Sequence, residues 1–171
     1  MNADELRAIN KTDIPEAAKK LSKTDIAFLV DTLTEKDDLL RYHAFLMLQA
    51  HSRLSPAVYT YWAVLESKLS NSNSYQRSLG LMLLAENVRW DKDGKFAKVI
   101  DSYMDGCMDA KFITARQAIQ GLANIIAATS SYNDKIQKRL ASIDFSKYKE
   151  NQQSLLRKDV ANIQKLLGKK C

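Results

Sequence analysis

The residues most able to do chemistry in this sequence are its two histidines, because imidazole rings bind metals and transfer protons. His43 and His51 lie eight residues apart in a segment with helical periodicity. Eight residues of α-helix span about 12 Å, which is too far for both rings to bind one zinc ion. We therefore expect the two histidines to serve packing or to lie on the surface.

Acidic residues form two patterns with a chemical interpretation. The tetrapeptide DKDG at 91–94 resembles the opening of a calcium-binding loop, but the twelfth position of that loop is Ser102 and not glutamate. A connecting turn is expected there instead. Asp101, Asp105 and Asp109 recur at every fourth residue, which is typical of the solvated face of a helix rather than of an acid–base pair.

Motifs of the common enzyme classes are missing from the sequence. It contains no glycine-rich phosphate loop, no HExxH helix, no nucleophile elbow and no CxxC pair. Its two cysteines, Cys107 and Cys171, are far apart, which disfavours an iron–sulfur cluster and indicates a reducing compartment. The sequence therefore predicts a protein that is not an enzyme and that binds neither a cofactor nor a metal.

Length and hydropathy predict a single soluble domain over residues 1–171. The chain is long enough to bury one substantial core. No run reaches the roughly 18 apolar residues of a membrane span, and the first ten residues lack the blocks of a signal peptide. We expect a cytoplasmic monomer that does not contact a membrane.

Composition and spacing favour helices. Apolar residues make up 46% of the chain, whereas glycine and proline together number seven, which disfavours both disorder and an all-β fold. Arg41, Arg77, Arg116 and Arg157 each stand near the start of a similar segment, at successive separations of 36, 39 and 41 residues. The third and sixth residues after each arginine share one helical face and are small or apolar.

A period of about 40 residues with two helices per unit is typical of HEAT and armadillo α-solenoids. The partner helices are predicted at 25–33, 56–69, 95–107 and 132–143, and residues 1–24 are predicted to form a short N-terminal helical cap. The expected fold is therefore all-α, with about four helical hairpins over residues 25–171. Gly80 is expected where this stack brings two helix backbones close together.

Three segments carry a family resemblance: RSLGLMLLAENVRWD, ITARQAIQGLANI and DFSKYKENQQSLLRKD. They resemble a family of small bacterial HEAT-like repeat proteins, some of which are labelled SufBD-like. The resemblance covers roughly residues 70–160 and implies the repeat fold. It implies no biochemical role, and the two separated cysteines do not support an iron–sulfur function.

The repeat alignment predicts one binding surface along the concave face of the solenoid. Its members share their offset from the repeat arginines, except for two residues that end the central repeated helix. The predicted partner-binding residues are Tyr42, Phe45, Gln49, Ser78, Leu81, Arg89, Trp90, Gln117, Gln120, Asn124, Lys158 and Lys165. The alternative is that neighbouring side chains cover Phe45 and Leu81, that Trp90 packs on the next repeat, and that the repeat arginines bond neighbouring turns.

Two functions fit these features. The first is a non-enzymatic scaffold that binds a protein or peptide along the concave face. The second is a nucleic-acid-binding protein, in its sharpest form a relative of the HEAT-like alkylpurine DNA glycosylases, served by Arg89, Trp90 and Asp91. Residues 111–171 carry 12 basic and 4 acidic residues, so weak and salt-sensitive nucleic-acid binding is expected in either case.

Overall fold

The computed structural model describes residues 1–169, and all regular structure within that range is helical. The predicted all-α class is confirmed, while Cys171 lies outside the described residues. The ten α-helices are α1 (Ala3–Ala8), α2 (Ile14–Ala18), α3 (Lys23–Thr32), α4 (Asp38–Ser52), α5 (Trp62–Ser67), α6 (Ser74–Asn87), α7 (Lys95–Gly106), α8 (Phe112–Ala128), α9 (Asn133–Ala141) and α10 (Glu150–Gly168). Short 3-10 turns at 11–13, 58–61, 68–70 and 88–90 extend or connect them.

The helices alternate between two packing roles. Helices α4, α6, α8 and α10 lie side by side, each against the next in chain order. Helices α3, α5, α7 and α9 each pack on the even-numbered helix that follows. Each arginine-marked segment and each predicted partner segment therefore coincides with a helix, and the buried apolar residues form one cluster that runs from Leu6 to Leu167.

Helix α6 is covered on most sides. Of the residues at 79–85, all but Met82 are buried. A β-carbon on Gly80 would lie 2.8 Å from Cβ of Lys68 and 2.9 Å from the carbonyl oxygen of Leu65. The expected close approach is confirmed, but it lies against α5 and the turn that extends it, within one hairpin, and not between neighbouring hairpins.

The two histidines hold the N-terminal helices on α4. Nδ1 of His43 lies 2.9 Å from the carbonyl oxygen of Leu6, and Nδ1 of His51 lies 2.8 Å from that of Ala18. Because a carbonyl oxygen only accepts hydrogen bonds, each ring must donate from Nδ1. Both rings are buried, which confirms the packing role and shows how α1 and α2 dock.

Three of the four repeat arginines contact neighbouring helices or turns, whereas Arg157 bonds Gln153 of its own helix. Arg77 forms two bonds to Asp109, of 2.6 and 2.8 Å, and a third to the carbonyl oxygen of Asn71 at 2.7 Å. Arg116 reaches Asp159 of α10 at 2.7 Å. The guanidinium of Arg41 stacks 4.2 Å above the Tyr75 ring. These contacts favour the structural role for Arg41, Arg77 and Arg116.

The three regularly spaced aspartates on α7 and in the turn after it also meet charged partners. Asp101 accepts a hydrogen bond of 2.8 Å from Lys135, and Asp105 accepts one from Arg139, so α9 carries two of the matching cations. Asp109 is the partner of Arg77. Part of the C-terminal basic excess is therefore neutralised by the preceding hairpin.

The segment at 91–94 is the turn that the sequence predicts. Gly94 has a φ of 69°, a left-handed conformation that glycine adopts without strain. The carboxylate of Asp91 accepts hydrogen bonds from the backbone N–H groups of Lys95 and Phe96, at 2.9 and 2.7 Å, and so caps α7. The hydroxyl of Tyr59 donates to the same carboxylate at 2.8 Å.

Candidate binding groove

A groove of about 710 Å3 opens on the face that α4, α6 and α8 share. Helix α10 closes one corner of it with Gln152. The lining residues, called the groove below, are Tyr42, Phe45, Ser74, Tyr75, Ser78, Leu79, Met82, Lys111, Phe112, Ile113, Thr114, Gln117 and Gln152.

The groove has an apolar wall, and two of its hydroxyl groups bond within the protein. Seven of its side chains are aromatic or aliphatic. Ser78 donates a 2.9 Å hydrogen bond to Thr114, whose own hydroxyl donates to the carbonyl oxygen of Ser74 at 3.2 Å. Two apolar residues stand open at its lips, since Tyr42 is 37% exposed and Ile113 is 58% exposed.

A smaller polar recess of about 170 Å3 adjoins the groove. The two cavities share Met82 and Gln117. The residues that line it, called the recess below, are Gln49, Arg53, Met82, Glu86, Gln117, Gln120, Gly121 and Asn124. The buried Oε1 atom of Gln117 has no hydrogen-bond partner among the described residues.

One buried carboxylate, that of Glu86, binds two guanidinium groups at the recess. Glu86 is fully buried and accepts hydrogen bonds from Arg53 at 2.8 and 3.2 Å. Arg89 lies 3.3 Å from the other oxygen of Glu86. Gln120 donates to Asp159 at 3.2 Å. Two guanidinium groups thus share one carboxylate, which leaves the Arg53 end of the recess with an excess of positive charge.

Seven of the predicted binding residues come together here. Tyr42, Phe45, Ser78 and Gln117 line the groove, and Gln49, Gln117, Gln120 and Asn124 line the recess. Phe45 is only 5% exposed. It forms part of the groove floor, so it is not the open side chain that the concave-face prediction requires.

The prediction for Leu81 is also wrong. Leu81 is 1% exposed and packs on α7, where a β-carbon on Gly106 would lie 2.8 Å from its Cδ2 atom. Its neighbour Met82 takes the predicted place and lines both cavities. Helix α6 is thus rotated by about one residue from the predicted orientation. The sequence does not reveal this rotation, because the run at 79–85 is uniformly apolar and no polar residue marks the side of α6 that faces outward.

Four other predicted residues lie away from the groove. The indole of Trp90 donates a 2.7 Å hydrogen bond to the carbonyl oxygen of Ser52. It therefore joins the turn that extends α6 to the preceding hairpin. Arg89 bonds Glu86, while Lys158 and Lys165 are exposed on α10 and line neither cavity.

The sequence-based alignment misses Tyr75, Met82, Phe112 and Ile113. A usable signal exists for one of them, since Ile113 precedes Gln117 by one helical turn and so extends the predicted stripe toward the helix start. Ile113 also lies in the first turn of α8, where an apolar side chain cannot cap the helix. The other three require knowledge of how α4, α6 and α8 are rotated against each other.

The polar groups that line the groove are hydroxyls, amides and the ammonium of Lys111. Among the described residues that line it there is no histidine, cysteine or carboxylate. Cys107 is buried elsewhere, and burial raises the pKa of its thiol to about 12, so the reactive thiolate is scarce at neutral pH. No group of three potential metal ligands occurs within residues 1–169.

Comparison of the chain with models of protein families, with curated proteins and with solved structures finds no match. No helix within residues 1–169 has the length and apolar content to cross a membrane.

Proposed function

We propose that the chain is a HEAT-like helical-repeat scaffold, a cytoplasmic monomer without enzymatic activity, that binds a protein or peptide segment in the groove. The regular spacing of its cross-hairpin contacts supports the repeat architecture. Arg53 bonds Glu86 over 33 residues, Lys135 bonds Asp101 over 34, and Ser78 bonds Thr114 over 36. Separations of this size are expected where each hairpin stacks on the next.

The open apolar lips of the groove carry the proposal. A folded protein gains free energy by burying large apolar side chains, and exposed apolar patches beside a concavity are typical of binding sites. Ile113 and Tyr42 remain exposed at a cavity of about 710 Å3. A partner segment that covers them would remove this apolar surface from water.

The nucleic-acid alternative has less support from the same geometry. Phosphate backbones are bound by several cations along one track, whereas Lys111 is the one charged residue among those lining the groove. Both oxygens of the Asp91 carboxylate are used in capping α7 and in bonding Tyr59. That carboxylate therefore accepts three hydrogen bonds in a structural role, which disfavours a part in base excision.

Site-specific photo-crosslinking tests the proposal. A benzophenone side chain at Ile113 is expected to form discrete protein adducts in native cytosol, because the residue stands at the groove lip. The matched control places the same group at Val64, an exposed apolar residue of α5 that is not in the groove. Equal adduct patterns at the two positions, or none at Ile113, would count against the groove as the binding site.

A further inference from the structure

On the basis of the proposed function, we infer that the segment bound in the groove has an apolar centre and carboxylates at both ends. The groove and the recess form the two parts of one continuous surface, because Met82 and Gln117 belong to both. The chemistry of the occupant follows from the distribution of charge along this surface.

The length of the surface sets the length of the segment. It follows α8 from Ile113 to Asn124, and this stretch of helix is about 16 Å long at 1.5 Å per residue. An extended peptide covers that distance with about five residues. The occupant therefore needs a short apolar stretch and not a whole domain face.

Two lysines at the groove end have no carboxylate partner. Lys111 belongs to the groove, and Nζ of Lys11 lies 4.7 Å from the centre of the Tyr42 ring. Neither forms an ion pair with any residue between 1 and 169, whereas the nearby Asp38 and Asp109 are each paired with an arginine. This end is therefore positive.

The recess end is positive for a different reason. Glu86 is shared between Arg53 and Arg89, so one negative charge faces two positive charges. The Arg53 side chain is 55% exposed and accessible to a ligand. Between the two ends, the groove walls of α4 and α6 carry no charged residue. A segment with carboxylates only at its ends matches this arrangement, because each carboxylate meets a cation and the apolar centre meets the wall.

Fluorescence anisotropy with two synthetic peptides tests the inference. Both peptides carry the same five-residue core of leucine, isoleucine and phenylalanine, which is flanked by two glutamates at each end in one and by two lysines at each end in the other. We expect the glutamate-flanked peptide to bind at least about tenfold more tightly. The double variant Lys11→Glu/Lys111→Glu should lose most of that preference.

The control variant is Lys98→Glu/Lys138→Glu, which changes the net charge equally at two exposed lysines that lie outside the groove. Its preference should match that of the unaltered protein. Competition with dodecanoate serves as a second control, and displacement at concentrations below those of the peptide would overturn the assignment in favour of a small amphiphile.

The remaining outcomes separate the two proposals. Equal binding of both peptides, with loss of both in Ile113→Ser, would overturn the charge inference and leave the binding groove in place. Binding that Ile113→Ser does not weaken would show that the peptides bind elsewhere and would overturn both proposals. Absence of binding by either peptide would also overturn both.

Discussion

The two sides of helix α6 use similar residues for opposite purposes. On one side, Gly80 packs closely against Cβ of Lys68 and the backbone oxygen of Leu65. On the same side, the Leu81 side chain fills the space beside Gly106 of α7. On the other side, Ser78 and Met82 line a groove that neighbouring helices leave open. We call the first side the closed seam. A glycine opposite a large side chain lets two helices pack closely, whereas large side chains from three helices keep those helices apart.

The difference shows that the apolar content of a helix does not reveal which of its sides are filled on folding and which stay open. Both sides of α6 are rich in apolar groups, but the closed seam has used them in folding. The groove has exposed apolar groups at its lips that a partner can still cover. Substitutions on the two sides should therefore separate stability from binding.

The largest effect is expected from Gly80→Leu in the closed seam. One of the two atoms in the way of a β-carbon is the backbone oxygen of Leu65, which cannot move aside as a side chain can. We expect a loss of about 4 kcal/mol in the free energy of unfolding, above the usual range for overpacking. Urea titration measures this loss, and Gly168→Ala is the control because a β-carbon there would lie in open space. A loss under about 0.5 kcal/mol for Gly80→Leu would contradict the close packing of the seam.

Phe45→Ala tests where the boundary between seam and groove lies. Phe45 is 5% exposed although it lines the groove. Truncation of a buried phenylalanine costs about 3 kcal/mol at the lower end of the usual range, and the open groove beside it favours that end. A variant that melts with the unaltered protein would show that Phe45 belongs to the binding surface alone.

Arg77→Met should destabilise the fold by about 2 kcal/mol at pH 7, because it leaves the carboxylate of Asp109 buried without its guanidinium. Burial opposes ionisation of Asp109, but the bonds from Arg77 and from the backbone of Lys111 outweigh it, so the pKa is lowered. A lowered pKa gives stability that is complete above the unfolded value of about 3.9 and is lost as the pH falls through the folded value.

The difference between Arg77→Met and the unaltered protein should therefore shrink below about pH 4. Thermal unfolding at pH 7 and pH 3 measures it. Lys135→Met provides the control, because its partner Asp101 is 67% exposed and such pairs contribute little. A constant difference at both pH values would assign the loss to packing of the arginine stem.

The smallest effect on stability is expected from Ile113→Ser at the groove lip. Since this side chain is 58% exposed, its replacement should change the free energy of unfolding by less than about 0.5 kcal/mol. The same variant should form fewer complexes with the glutamate-flanked peptide in anisotropy. A large loss of stability would place Ile113 in the core and erase the contrast with Gly80→Leu.

The sequence predicts the helices and some of their contacts because these depend on local spacing. The close approach at Gly80 and the structural role of Arg77 follow from periodicity and from the cost of glycine in a helix. The rotation of α6 that places Met82 and not Leu81 in the groove cannot be predicted from periodicity, because it depends on which neighbouring helix each apolar side contacts. The pairing of Arg77 with Asp109 requires knowledge of how hairpins stack.

The histidine contacts to α1 and α2 have a consequence for assembly. A row of stacked helices ends in an apolar face that could receive another copy, and head-to-tail contacts of this kind propagate into filaments. Leu6, Ile14 and Ala18 bury that end of the row on α4, and His43 and His51 fix the two short helices in place. The N-terminal helices therefore cover the apolar side of α4 at this end of the row, and two imidazole–carbonyl bonds hold that cover in place.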